Sequence, residues 1–132
     1  MGTRFVATKE APVHQNVKDA IVAATELDTR LVMRGLRNTE RVLTNANVEK
    51  LISIEREKGA NLKFDDIIDQ VAGIYPRVMQ NGEMDAGAWS CGMVAGLIND
   101  IPTVQDLIDR IMDEAEQLIA GRLAGFLQPA MA

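Results

Sequence analysis

The residues with the most chemical promise stand at the front of the chain, in the stretch Met1-Gly2-Thr3-Arg4-Phe5-Val6-Ala7-Thr8-Lys9-Glu10-Ala11-Pro12. Glycine lets a backbone approach a bound group closely, and a threonine hydroxyl beside free backbone N–H groups suits a phosphate. Gly2 and Thr3 are therefore the candidate cofactor-binding pair. Other chemistry is sparse. His14 is the only histidine; it has no partner arranged for nucleophilic catalysis and reads as a surface residue in the turn after Pro12. Cys91 is the only cysteine, which excludes an intrachain disulfide or a Cys-rich zinc site and, within an apolar run, reads as a small core residue. Asp65 and Asp66 open a helix, where capping accounts for them. No HExxH, CxxC, Walker loop or GxGxxG occurs, so no catalytic residue and no metal ligand set is assigned. Arg34, Arg37 and Arg41 follow one another closely and read as a solvated or salt-bridged turn. The sharper alternative is that one of them meets an anionic group on a part of the molecule outside this chain.

The elements that must position the Gly-Thr pair follow from local pattern. Thr3, Phe5, Val6 and Thr8 are β-formers and Lys9 to Pro12 break the run, so the front reads as the end of a strand with no partner strand nearby. Val17, Ala20, Ile21, Ala24 and Leu27 recur at helical spacing and predict a helix over 13–26, with Asn16 as its N-cap. Residues 28–34, closed by Gly35, read as a short strand. Residues 39–58 carry a helical pattern with Asn45 or Asn47 as the cap and Gly59 as the stop. A short helix with Phe64, Ile67, Ile68 and Val71 on one face ends at Gly73, and 74–86 is irregular. Residues 86–98 predict a helix on which Ala88, Gly92 and Gly96 form a smooth ridge. Glycine costs about 1 kcal/mol in a helix interior, so the ridge calls for close approach of a backbone or a cofactor. Trp89, Met93 and Leu97 form the adjacent apolar stripe. Thr103 starts the last helix, whose 3.6-residue period runs from Val104 to Ile119, and 128–132 is a frayed tail.

Composition bounds the rest. At 132 residues, 47% hydrophobic and 25% charged, the chain has the length of about one globular domain. A net charge of −5 without a basic cluster argues against nucleic acid and anionic membranes as partners. No apolar run approaches the roughly 20 residues that span a bilayer, and no basic n-region precedes an apolar stretch. The expectation is a cytoplasmic protein.

Three stretches together resemble the nitronate monooxygenase family, formerly called 2-nitropropane dioxygenase. They are Met1-Gly-Thr-Arg-Phe-Val-Ala-Thr-Lys-Glu10, Arg30-Leu-Val-Met-Arg-Gly-Leu-Arg-Asn-Thr-Glu-Arg-Val-Leu43 and Gly87-Ala-Trp-Ser-Cys-Gly-Met-Val-Ala-Gly-Leu-Ile98. The resemblance runs to about residue 120 and places the chain in the family's C-terminal third. It implies a fold that is mainly α with one or two short strands, a fragment of an FMN-binding (β/α)8 barrel plus its helical subdomain. Met1-Gly2-Thr3 is then similar to the end of the last barrel strand, which holds the FMN phosphate, in keeping with phosphate sites after strands 7 and 8 of such barrels. Residues 1–27 correspond to the last strand–helix unit, 28–86 to a helical insertion or cap, 87–125 to closing helices and 126–132 to the tail. The resemblance implies FMN and a small nitronate or nitroalkane as ligands. It also places the catalytic histidine upstream of this chain, so His14 does not inherit that role. Many members have Gln after the Gly that corresponds to Gly92, where this chain has Met93, a departure that bears on the substrate subclass. The alternatives are an FMN-dependent enoyl-ACP reductase fragment and, in another class, a non-catalytic helical structural or interaction protein.

Overall fold

The computed structural model describes residues 1–126. Its centre is a two-stranded antiparallel sheet in which β1 (Thr29–Val32) pairs with β2 (Glu40–Leu43), Thr29 opposite Leu43 and Val32 opposite Glu40. The turn between them is held by the N–H groups of Leu36 and Asn38, both donating to the Met33 carbonyl at 3.2 and 3.3 Å. Met33 and Arg37 adopt φ of 57° and 55° there, left-handed backbone that costs a non-glycine residue of order 1 kcal/mol or more. The strand expected at 28–34 is therefore present, in the span Thr29–Val32. Glu40–Leu43 belongs to its partner strand and not to the helical pattern into which the sequence places it.

Six α-helices accompany the sheet among the described residues. These are α1 (Gly2–Val6), α2 (Gln15–Ala23), α3 (Ala46–Lys58), α4 (Ile68–Val71), α5 (Ile74–Met79) and α6 (Val104–Gln117). The described residues are mainly helical with two strands. α3 begins and ends where its residues direct it. The Asn45 side chain accepts a hydrogen bond from the Val48 N–H at 2.9 Å, and Gly59 closes the helix at φ 51°, conformations that Asn and Gly favour at those ends. α2 is shorter than expected. His14, rather than Asn16, caps it through Nδ1, which accepts from the Asn16 N–H at 3.1 Å. The chain after it turns through a 3₁₀ segment, Glu26–Asp28, closed by a Thr25–Asp28 capping box. Hydrogen bonds from the Thr25 N–H and hydroxyl hold the Asp28 carboxyl below the usual carboxylate range.

Three expectations are corrected. The front of the chain is a helical turn, not a strand. A lone strand leaves its N–H and C=O groups unpaired, whereas α1 satisfies them locally, with Phe5 N donating to Met1 O and Ala7 N to Thr3 O, both at 3.3 Å. Residues 74–79, read as irregular, form α5. Residues 86–98 are not an α-helix. They run extended through Ala88 and Cys91 and then make a 3₁₀ turn at Met93–Leu97. Ser90 bridges to Val42 on β2, Leu43 N donates to Trp89 O at 3.3 Å and Cys91 N to Arg41 O at 3.0 Å. Trp89 is 1% exposed and belongs to the core, while Met93 and Leu97 are exposed, so the three do not form one stripe. The glycines still serve close approach. A Cβ on Gly96 would lie 2.6 Å from the Glu26 backbone nitrogen.

Two apolar clusters fill the unit that spans Met1–Ile101. One gathers Val17, Ile21, Ile74, Val78, Trp89 and Ala95, and the other Val32, Val42, Val48, Leu51, Leu62 and Ile67. The second unit begins at Pro102. In it Thr103 caps α6 by accepting from the Asp106 N–H at 3.1 Å, Leu107, Ile108, Ile111 and Ala115 keep the helical period, and Leu118–Leu123 continues as a π-helical turn. The frayed tail expected at 128–132 lies outside the described residues.

Candidate functional site

α1 and the extended segment Trp89–Gly92 lie against each other, and one hydrogen bond joins them: the Gly92 N–H donates to Thr3 Oγ1 at 3.0 Å. This bond occupies a lone pair of the hydroxyl and leaves its proton to be donated elsewhere. Arg4 ties the same helix down, its NH2 reaching the Asp100 carbonyl and the Asp100 carboxylate, each at 3.1 Å. Between the two segments opens a cleft of about 410 Å³, lined by Gly2, Thr3, Val6 and Ile21 on one side and Trp89, Ser90, Cys91 and Gly92 on the other, with Arg41, Tyr75 and Met79 completing it. The volume is that of a small-molecule site, and the lining is apolar with a few polar groups, as such sites are.

The expected pair, Gly2 and Thr3, thus lines this cleft. Nothing stands within 4 Å of a Cβ built on Gly2, so the space over it is open. Of the three arginines singled out in the sequence, Arg41 alone lines the cleft. Its guanidinium is oriented by a 2.8 Å hydrogen bond from NH1 to Thr29 Oγ1, and β2 carries it in. Arg34 lines a separate surface depression with Arg30, Glu49 and Arg56. His14 sits at the start of α2 as a cap and does not line the cleft.

Residues that sequence reasoning passed over complete the cleft. Tyr75 OH and Ser90 Oγ are 2.6 Å apart, the Ser90 N–H donates to Tyr75 OH at 3.2 Å, and Ser90 Oγ donates to Glu40 Oε1. The Tyr75 hydroxyl also lies 3.5 Å from that carboxylate oxygen. Three stretches distant in sequence meet here: the pairing of Ser90 with Val42 sets the last segment beside β2, and α5 brings Tyr75 to it. The one available signal was that Tyr75 is the sole tyrosine. Cys91 is 1% exposed and burial pushes its thiol up to about 11, so at neutral pH it is a protonated, poorly nucleophilic side chain. Among the described residues no cluster of three His, Cys, Asp or Glu groups could hold a metal ion, and no helix is long and apolar enough to cross a membrane.

Comparison with known proteins gives this geometry a family. The model of the nitronate monooxygenase family matches residues 1–114. A curated relative from Rhodococcus jostii strain RHA1, (3aS,4S,5R,7aS)-5-hydroxy-7a-methyl-1-oxo-octahydro-1H-indene-4-carboxyl-CoA dehydrogenase, is 29% identical across 87% of this chain. The solved structure of FabK from Thermotoga maritima superimposes with a TM-score of 0.84 at 31% identity over 96% of this chain, and a single-residue mutant of that protein gives 0.76 at 28%. The chain spans well under half of these relatives, 42% of the curated protein and 36–39% of the solved chains. With the match extending over most of its length, from the Gly-Thr pair through the cleft and into the last helix, the chain belongs to the nitronate monooxygenase family.

Proposed function

We propose that this chain is the C-terminal part of an FMN-dependent oxidoreductase built on a (β/α)8 barrel, and that it contributes the group of residues that grips the flavin phosphate. The observation that carries the reading is that Gly2, Thr3 and Arg41 share one cleft. The donor set fits a phosphate: a hydroxyl proton on Thr3, a guanidinium on Arg41 for charge-assisted bonds, and free space over Gly2 for close approach. FMN, when bound, would supply the redox chemistry. The protein's share is to hold it, with Val6, Ile21, Met79 and Trp89 as the apolar wall and Thr3 and Arg41 as the anchor. No residue of this chain is assigned the proton abstraction from substrate, which falls to parts of the enzyme outside it. Within the family the substrate we propose is a nitronate or nitroalkane oxidised with O₂. A reductase acting on an enoyl thioester is the second reading, favoured by the CoA thioester in the name of the Rhodococcus relative. Turnover of propionate 3-nitronate against an enoyl thioester by the flavin-loaded enzyme separates the two.

Trp89 is the only tryptophan and lines the cleft, so its fluorescence reports what enters. Titration of this chain with FMN and with riboflavin, which lacks the phosphate, tests the anchor. FMN should bind weakly, since the chain carries only part of the site, but several-fold more tightly than riboflavin. Thr3→Val or Arg41→Gln should erase that preference. Equal affinity for the two flavins in the unaltered chain overturns the phosphate reading.

A further inference from the structure

Glu40, Ser90 and Tyr75 are not explained by a phosphate anchor, because a carboxylate beside an anion repels it. Their hydrogen-bond directions are nevertheless determined. The Ser90 hydroxyl donates its one proton to Glu40 Oε1. Ser90 Oγ must then accept from Tyr75 across the 2.6 Å contact. The Tyr75 oxygen also accepts from the Ser90 N–H at 3.2 Å. Among the described residues the phenol proton's other acceptor is the same carboxylate oxygen, at 3.5 Å, so by either route that proton points toward Glu40. Tyr75 and Ser90 line the cleft, whereas Glu40 does not.

We propose that Glu40, acting through Ser90, makes the Tyr75 phenol oxygen a hydrogen-bond acceptor toward the cleft, where it orients a ligand through a hydroxyl or N–H donor. The cleft is then polarised, with Arg41 and Thr3 donating to an anion at one part of the lining and Tyr75 accepting from a neutral donor at another. This rests on the reading that the cleft holds a flavin, whose ribityl hydroxyls and ring N–H are donors of the required kind. Tyr75 is the contacting residue and Glu40 a positioning residue.

The test uses this chain, ¹⁵N-labelled, titrated with FMN and with riboflavin. Tyr75→Phe, which keeps the ring, should weaken both flavins alike by about three- to tenfold, the worth of one hydrogen bond, and leave the FMN-to-riboflavin ratio unchanged. Glu40→Leu should do the same although Glu40 does not line the cleft, because the Ser90 hydroxyl then loses its acceptor and is free to donate to Tyr75. The double variant should lose no more than either single one. Urea midpoints of the variants separate this from a general loosening, which would alter stability without altering flavin affinity in the folded protein. Additive losses in the double variant, or a Glu40→Leu chain with full affinity for both flavins, overturn the proposal. If neither flavin binds the unaltered chain, the flavin reading fails and the ligand role fails with it. The hydrogen-bond directions are judged separately, without ligand, by the Ser90 amide proton. That resonance should shift in both Tyr75→Phe and Glu40→Leu, and no shift in either overturns the relay.

Discussion

The cleft has two walls of unequal stiffness. The Trp89–Gly92 wall is firmly held: Trp89 and Cys91 are each 1% exposed, two backbone hydrogen bonds tie it to β2, and just before it Asn45 Nδ2 donates to Gly87 O at 2.8 Å. The α1 wall has no buried residue in its five-residue helix and is held by Thr3 and Arg4. A binding loop drawn from the less stable part of a fold, facing a rigid support, is the usual division of labour. Substitutions in the first wall should therefore act on stability, and substitutions in the second on what the cleft holds.

The largest effect is expected at Trp89. Trp89→Ala removes a fully packed indole from the cluster around Ile21 and Ile74 and should cost about 3–5 kcal/mol, read as a drop in the urea midpoint at unchanged slope. Next comes the thiol beside it. Burial raises the Cys91 thiol from 9.0 to about 11, so the folded state holds this proton more tightly than the unfolded state. The resulting stability is fully present below pH 9 and is lost as pH rises toward 11, about 2–3 kcal/mol in all. Measured against Cys91→Ala to cancel other titrating groups, the stability difference should fall across that window, and a flat difference would show that the thiol is wetter than its burial indicates.

Gly96→Ala brings a Cβ to 2.6 Å from the Glu26 backbone nitrogen and 2.8 Å from its Oε2. The carboxylate can swing away but the backbone cannot, so a loss of about 1–3 kcal/mol is expected. Asn45→Ala should cost about 1–2 kcal/mol, because the same side chain caps α3 and donates to Met84 O and Gly87 O. Amide exchange should rise in residues 84–88 as well as in the first turn of α3. Faster exchange confined to the helix would mean that Asn45 does not staple the stiff wall.

The same contrast explains what could be read in the sequence. The ends of α3 and the start of α6 were legible because Asn45, Gly59 and Thr103 act on residues within one helical turn of themselves. Gly2 and Thr3 could be singled out from residue type alone, and both line the cleft, although the strand assigned to them was not their structure. Ala86–Ile98 has small and apolar residues at helical spacing, yet its conformation is set by β2 and by the Glu26 turn. Glycine spacing could announce a close approach but not its partner. Arg41 was one of three similar arginines until the strand pairing selected it. Tyr75, Ser90 and Glu40 carry no local pattern at all, because hydroxyls and single carboxylates are common and only the tertiary fold makes these three a group.

The smallest expected change in stability is at the soft wall, and it separates the walls most directly. Thr3→Val keeps the shape of the side chain and removes the acceptor for the Gly92 N–H. That N–H lies in a half-buried loop beside an open cleft, where water can replace the lost partner, so the cost should stay within about 1 kcal/mol. The stiff wall keeps its other bonds, and the urea midpoint should hardly move. The FMN preference over riboflavin should nevertheless disappear, because the hydroxyl proposed to donate to the phosphate is lost. A stability loss at Thr3 as large as that at Gly96 would make α1 part of the rigid frame, and the distinction between a supporting wall and a ligand-holding wall would fall.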